Sequence, residues 1–411
     1  MSTPPVIGFD PLDPDQRANP YPVYAALRAD APVAYVSAYD LWVVTRYDDV
    51  LRVLKDEETF SSANALRSAP RKPPQEVRAV LAKGWPAMPI IVDSDPPLHT
   101  RIRRPITKAF TPRRVAELEP RIEEIARELL DAFADDGEAD LVERFAWPLP
   151  LRVMGDLIGV PKGDLAWLHD RSRDWLALYQ ATGSLEDQVA QARGTVDLQR
   201  YFVRAIEERA RRPRDDLMGA LVAANAEDPE PLSVVELAGV PLDLIVAGHV
   251  TVTRAIGSAL VLLLEHPDEL RRLRREPART RPALEEILRL ESPAQGLFRQ
   301  TTRDVELGGV RLPAGARLMV HFGAANRDES VFTEPDRFDP ERPDVAKRHV
   351  AFGKGIHVCI GAPLARLELA VALPLLLERL PGLRRADDGP LAYDPIFFAR
   401  GLASLPLCWE T

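Results

Sequence analysis

The residues with the most distinctive chemistry lie in one loop, Phe352-Gly353-Lys354-Gly355-Ile356-His357-Val358-Cys359-Ile360-Gly361. Three glycines in ten residues permit a tight path and a close approach of backbone N–H groups to a sulfur. The spacing predicts a helix from Gly361 to Glu378, with Pro363 in its first turn, where a missing N–H does no harm. The N-terminus of that helix points at Cys359, and its partial positive charge favours thiolate over thiol. Three chemistries suit such a sulfur. It could be an inert packed thiol, the commoner fate of a single cysteine. It could join His357 on zinc, although zinc asks for four ligands at recognisable spacing and no further Cys/His pair is present. Or it could ligate a haem iron, to which a thiolate donates electron density that promotes O–O cleavage.

Other reactive groups stand at helical spacings. Glu286 and Arg289 are at i and i+3 on a helix opened by Pro282 and can pair, although an exposed pair of this kind contributes little. His99 and Arg103 are four apart and share a helix face. Asp243, Ala247 and Thr251 stand at i, i+4 and i+8, drifting slowly around one face. Asp243 could then look into a chamber two turns before Thr251, to bind a polar or cationic substrate or a water chain. Alternatively, a kink or fresh start at Pro241 rotates it toward solvent or a backbone cap. His249, two residues from Thr251, falls on another face and reads as a core histidine, not as a ligand to iron. Cys408, among Leu405, Leu407 and Trp409, reads as a packed small hydrophobe.

The elements that must position these groups are mostly helices. Tyr21–Arg28 and Tyr47–Leu54 read as helices flanking a hairpin of Val33–Val36 and Leu41–Thr45. From Ser61 to Asp95 the pattern dissolves into Pro, Ser and basic residues, a loop long enough to be functional or mobile. Beyond Pro97 the chain is predicted helical to about Leu290, with breaks near Thr111–Pro112, Asp135–Ala139, Gly159–Gly163, Thr182–Ser184 and Asp228–Ser233. Ser184 to Arg211 begins acidic and ends basic, as a helix dipole favours. Ser233 with Glu236 three residues on is a capping-box signature opening a long apolar helix. Val305–Leu307 and Arg317–His321 read as strands, so the minor β component is expected at the two ends of the chain.

The net charge of −9 argues against nucleic acid, which requires a concentrated basic surface. Two cysteines make no disulfide framework, so a reducing compartment is expected. Met1–Asp10 has neither a basic and then apolar leader nor a membrane anchor. The apolar stretch Val240–Leu264 is interrupted by Asp243, His249 and Arg254, which are costly in lipid, so a core helix is expected there. With no composition break or flexible linker, 1–411 is read as one cytoplasmic domain.

The cysteine loop matches Phe-Gly-x-Gly-x-His-x-Cys-x-Gly at every specified position, and further motifs follow in order over nearly the whole chain. The sequence thereby resembles the cytochrome P-450 superfamily, of the bacterial soluble, three-component type. The resemblance implies a mainly α fold with minor β, in which a long central helix lies over a haem and the cysteine loop lies beneath it. It implies haem b as cofactor and Cys359 as the iron ligand. His99, Arg103, Arg299 and His357 would hold the propionates, which as buried carboxylates need charge-assisted partners; Phe352, Ala247 and Gly248 would also contact the haem. Glu286 and Arg289, with Arg342 of Phe338-Asp339-Pro340-Glu341-Arg342, would lock the chain leading into the cysteine loop. The loop from Ser61 to Val92, the central helix, Pro293–Phe298 and Ile396–Phe398 would line the substrate chamber. Leu297, Phe298, Ile396, Phe397 and Phe398 give it an apolar wall suited to an organic molecule of moderate size.

By the same resemblance, Arg101, Arg104, Lys108, Arg113, Arg114 and Lys354 would receive an acidic iron-sulfur protein, its approach steered by charge. The implied activity is a monooxygenase inserting one atom of dioxygen, with electrons from a separate ferredoxin and ferredoxin reductase. One position departs from the family pattern. Ala247-Gly248-His249-Val250-Thr251 resembles the oxygen-binding stretch, yet Val250 stands where most relatives carry an acid that relays protons with the following threonine. Thr251 is retained, and the Arg-Pro pair of peroxide-using branches is absent. Oxidative coupling, peroxide-driven oxidation and a non-catalytic haem protein that binds a ligand therefore stand as alternatives.

Overall fold

In the segment from Val33 to Val44, residues alternate between two apolar faces, and each face finds a different helix. The computed structural model describes residues 8–63, 65, 73–85, 88–180 and 183–411. Along the chain the principal helices are α1 (Tyr21–Asp30), α2 (Tyr47–Lys55), α3 (Leu98–Ala109), α4 (Leu185–Arg211), α5 (Val234–Glu265), α6 (Thr280–Leu290) and α7 (Ala362–Arg379). The strands are β1 (Val33–Val36), β2 (Leu41–Val44), β3 (Phe60–Ser61), β4 (Glu138–Asp140), β5 (Gly296–Thr301), β6 (Val305–Leu307), β7 (Val310–Leu312), β8 (Arg317–His321), β9 (Arg384–Arg385) and β10 (Pro406–Cys408). The fold is mainly α with minor β, and it divides into two compact units.

The first unit comprises Met1–Ser61, Glu117–Pro150 and Val250–Thr411. Its main sheet has the order β1-β2-β8-β5-β3. The parallel register Val43↔Met319 and the antiparallel register Phe298↔Met319 bring N-terminal and C-terminal strands into one sheet. Val33, Val44, Leu318 and Val320 pack with Val50 and Leu54 of α2 on one face. Ala34, Val43 and Met319 pack with Tyr24 and Leu27 of α1 on the other. This period-two alternation fixes the register, because a one-residue slip would expose both sets. A second sheet, β4-β10-β9, joins the middle of the chain to its end. The sequence pattern places strands only at the two ends, and β4 departs from that. Three half-exposed residues offer no alternation to read, and β4 is held instead by Asp140, whose Oδ1 accepts the Leu405 N–H at 3.0 Å.

The second unit comprises Ser62–Ala116 and Leu151–His249. α4 is opened by a capping box in which Ser184 and Asp187 exchange hydrogen bonds. It anchors the segment before it in space: Gln199 Oε1 accepts the Trp85 N–H and its Nε2 donates to the Trp85 carbonyl, both at 2.9 Å. The region expected as an unbroken loop contains a helix at Gln75–Leu81 and a 3₁₀ turn at Ile91–Asp93. Seven residues with one fully buried side chain, Val77, carry too little periodicity to stand out in sequence.

α5 begins in the second unit and ends in the first. Ser233 and Glu236 form the expected reciprocal cap, with the Ser233 N–H to Glu236 Oε2 at 2.7 Å and the Glu236 N–H to Ser233 Oγ at 3.3 Å. The helix runs through Pro241 without a break. It is long and apolar enough to cross a membrane by composition, but 72% of its most apolar window is buried inside the protein. It is a core helix.

Candidate functional site

Cys359 sits three residues before α7, on a loop whose shape is dictated by glycine. Gly353 and Gly355 have φ of +67° and +71°, a left-handed region that other residues enter at a cost. A Cβ on Gly355 would lie 2.0 Å from the Leu54 carbonyl oxygen, so this position is closed to any side chain. The Cys359 N–H donates to the Phe352 carbonyl at 2.9 Å, closing the loop on itself. Cys359 and the neighbouring Val358 are exposed. A cysteine on a glycine-shaped loop, at the N-terminal end of an 18-residue helix, suits a thiolate ligand to iron. Among the described residues no cluster of His, Cys, Asp or Glu is placed to hold a metal ion, so the zinc alternative finds no ligand set. Cys408 lies in β10 with its sulfur directed at the Arg385 carbonyl, 3.7 Å away.

The structure brings Glu286, Arg289 and Arg342 together. Glu286 and Arg289 are both fully buried, with Arg289 Nε and Nη2 each 2.7 Å from a Glu286 oxygen. Arg342 Nε reaches Glu286 Oε1 at 3.0 Å, and Asp339 N–H donates to the same oxygen at 3.1 Å. Arg289 also donates to the Asn326 and Pro335 carbonyls at 2.8 and 2.7 Å. Burial lowers the Arg289 pKa, while Glu286 opposes that shift. One carboxylate thus organises two arginines and the 326–342 segment ahead of the cysteine loop.

The expected propionate partners lie in both units. In the second, His99 is buried and Arg103 half-buried, one turn apart on α3. In the first, Arg299 is buried in β5, its Nη1 2.7 Å from the Phe298 carbonyl, and His357 is half-buried in the cysteine loop. Each unit thus offers one arginine and one histidine of the kind that can pair with a carboxylate. On α5, Ala247 is exposed and Thr251 half-buried one turn later, while His249 and Val250 between them are buried. The close approach at Gly248 is to Met154, whose sulfur would lie 2.9 Å from an added Cβ. His249 turns its Nδ1 to the Ile245 carbonyl of its own helix.

Asp243 is buried and its Oδ2 accepts the backbone N–H of Ile91 at 3.1 Å. A Cβ on Gly239, one turn earlier, would lie 2.3 Å from the Pro89 carbonyl oxygen. This face of α5 therefore seats the segment 88–93, with Asp243 as its hydrogen-bond anchor.

The apolar wall divides. Phe298 meets Phe397 and Phe398 at ring distances of 6.1 and 6.2 Å, on the α1 face of the main sheet. Leu297 points to the opposite, α2 face, as alternation along β5 requires. Ile396 belongs to a turn tied to the residue before β5, the Gln295 N–H donating to the Phe398 carbonyl at 2.8 Å. Of the loop from Ser61 to Val92, residues 64, 66–72, 86 and 87 lie outside the described residues. In the basic cluster, Arg101 reaches Glu236 at 3.6 Å and Arg104 reaches Asp228 at 2.6 Å, both within the second unit. Lys354 donates to the Lys347 carbonyl at 2.9 Å.

Sequence reasoning missed a second carboxylate cluster beside the first. Glu285, the neighbour of Glu286, accepts Arg366 Nε and Nη2 at 2.6 and 2.9 Å and lies 2.8 Å from His349 Nε2. Two adjacent acids ahead of a leucine-rich turn were the available signal.

A glycine-shaped loop presenting a cysteine at a helix N-terminus, downstream of a buried Glu–Arg–Arg cluster, is the arrangement expected of a haem-thiolate protein. The family model for cytochrome P450 matches residues 181–383. The chain is 38% identical to cytochrome P450 monooxygenase PikC of Streptomyces venezuelae, over 100% of this chain and 95% of that one. It is 37% identical to 6-deoxyerythronolide B hydroxylase of Saccharopolyspora erythraea, over 94% and 95%. Among solved structures, cytochrome P450 CREJ in complex with (4-ethylphenyl) dihydrogen phosphate aligns with a TM-score of 0.93 at 31% identity, over 98% of this chain and 100% of that one. The chain belongs to the cytochrome P450 family and is a P450 monooxygenase with a cysteine-ligated haem.

Proposed function

We propose that this chain is the oxygenase component of a three-component bacterial system, acting in the cytoplasm on a small to medium apolar organic molecule. The observation that carries the reading is the exposed Cys359 at the N-terminal end of α7, on a loop that only glycine can shape. Cys359 is the iron ligand, and the bound haem supplies dioxygen activation. His99, Arg103, Arg299 and His357 hold the propionates; Phe352, Ala247 and Gly248 contact the ring. Thr251 would offer its hydroxyl on the haem side of α5, and Phe298, Phe397 and Phe398, with Leu297 and Ile396, would shape the apolar substrate space. Glu286, Arg289 and Arg342 keep the cysteine loop in place. Asp243 acts by seating segment 88–93, which supports a role in shaping the chamber. Electrons come from a ferredoxin and its reductase, drawn to basic residues that include Lys354.

Val250 favours a second reading. A buried valine cannot relay protons; peroxide-driven oxidation, in which the oxidant brings its own protons, would need no such relay, and oxidative coupling would need no oxygen insertion. A spectral-shift screen separates these readings, starting with 6-deoxyerythronolide B, taking (4-ethylphenyl) dihydrogen phosphate as a charged comparison, and extending to other apolar compounds. The expected result is a compound that displaces the iron-bound water and is then consumed with NADH, ferredoxin, reductase and dioxygen. Consumption with hydrogen peroxide alone supports the second reading. Binding with no consumption under either condition refutes both and leaves a ligand-binding haem protein.

A further inference from the structure

Two consecutive acids on α6 each receive a different part of the approach to Cys359. Glu286 gathers Arg289, Arg342 and the Asp339 N–H. Glu285 faces another way around the helix and takes Arg366 of α7 through two hydrogen bonds, with His349 completing the set at 2.8 Å. The Arg366 guanidinium then lies over the Phe352 ring, 4.4 Å from its centroid. The His349 ring stands 6.0 Å from the same ring, and its Nδ1 accepts the Ala351 N–H at 3.2 Å. Phe352 is the residue whose carbonyl accepts the Cys359 N–H.

The network therefore runs from a carboxylate, through a bidentate guanidinium, onto the aromatic ring that fixes one end of the cysteine loop. Bidentate Arg–carboxylate pairs fix orientation as well as distance, and a guanidinium over an aromatic face resists sliding. Burial alone would raise the Glu285 pKa, but the hydrogen bonds from His349 and Arg366 outweigh it and hold the carboxyl at about 2. Glu285 is thus an acceptor for both partners across the working pH range.

We propose that Glu285, Arg366 and His349 are positioning residues for the haem ligand: they clamp Phe352, and through its carbonyl they hold the Cys359 backbone and thiolate in register with the iron. The proposal rests on Cys359 being that ligand. It is separate from the Glu286 cluster, which holds the segment further upstream. The predicted consequence is kinetic retention of the iron–sulfur bond, because a loop free to shift exposes the thiolate to protonation.

The test compares Glu285→Gln, Arg366→Lys and Phe352→Leu with the unaltered holoenzyme. Two readouts are taken: the rate at which the red-shifted carbon monoxide band of the reduced protein decays to an unshifted band, and hydrogen exchange of the Cys359 amide. Glu285→Gln and Phe352→Leu are each expected to accelerate both by about tenfold, the equivalent of one lost hydrogen bond, with exchange in α1 unchanged. Arg366→Lys, keeping the charge without the planar fork, should fall between. Unchanged decay and unchanged Cys359 exchange in Glu285→Gln overturn the proposal, as does an equal rise at every amide of the first unit, which marks general destabilisation. Should Glu285→Gln fail to fold, the other two variants decide by the same criteria. If the unaltered protein shows no red-shifted band, Cys359 as ligand fails, while the amide measurement still decides the clamp.

Discussion

Replacing Asp243 by alanine removes one well-defined constraint, the carboxylate that accepts the Ile91 N–H at 3.1 Å. Asp243 is buried, so in the variant that N–H loses its acceptor in a place where water does not readily substitute. Leaving such a donor unsatisfied costs about 1–3 kcal/mol. If the loss is confined to local opening of segment 88–93, opening becomes roughly 5- to 150-fold more frequent. The contact of Pro89 with α5 at Gly239 remains, so the segment should stay seated on average while opening more often. Asp243→Asn keeps a neutral acceptor oxygen and should fall between the two. Hydrogen exchange resolved by mass spectrometry over peptides spanning residues 88–95 measures this directly. Exchange at Ile91 in Asp243→Ala that matches the unaltered protein would refute the assignment of Asp243 as the anchor of that segment.

Two further outcomes follow from the carboxylates of α6. Glu286→Gln leaves Arg289, which has no exposed side-chain area, without its counter-charge; breaking a buried pair in this way costs about 3–5 kcal/mol, read as a lower melting temperature and lower haem content. Glu285 has a folded-state pKa held near 2 against an ordinary value of 4.5. Its contribution is therefore fully present above the ordinary value and is lost as pH falls through the folded one. Across that window the unaltered protein should lose about 3 kcal/mol that Glu285→Gln does not lose, seen as a steeper acid decline of its melting temperature; parallel declines would contradict the assigned hydrogen bonds.

What could be read in advance depended on how local the determining interactions are. The cysteine loop, the capping box at Ser233 and the hairpin of β1 and β2 are contiguous patterns, and each carries its physical cause within a few residues. Glu285 was opaque because its partners, His349 and Arg366, are 64 and 81 residues away. Nothing in a bare Glu-Glu pair distinguishes the two acids; only the helix rotation between them does. Asp243 shows the same limit. Its spacing from Thr251 allowed both a chamber-facing and a backbone-capping role, and the backbone partner it takes, Ile91, lies 152 residues earlier. The family resemblance groups Leu297 and Phe298 as one wall, although consecutive strand residues must face opposite ways. β4 and the helix at Gln75–Leu81 were hidden for a different reason: both are short, and tertiary packing supplies what their sequence pattern lacks.

The decisive measurement is the spectrum of the reduced protein under carbon monoxide, taken for the unaltered chain, Cys359→Ala and Cys408→Ala. A red-shifted Soret band in the unaltered protein and in Cys408→Ala, absent from Cys359→Ala, is the predicted result. A band that survives in Cys359→Ala, or that disappears only when Cys408 is replaced, would contradict the assignment of the thiolate.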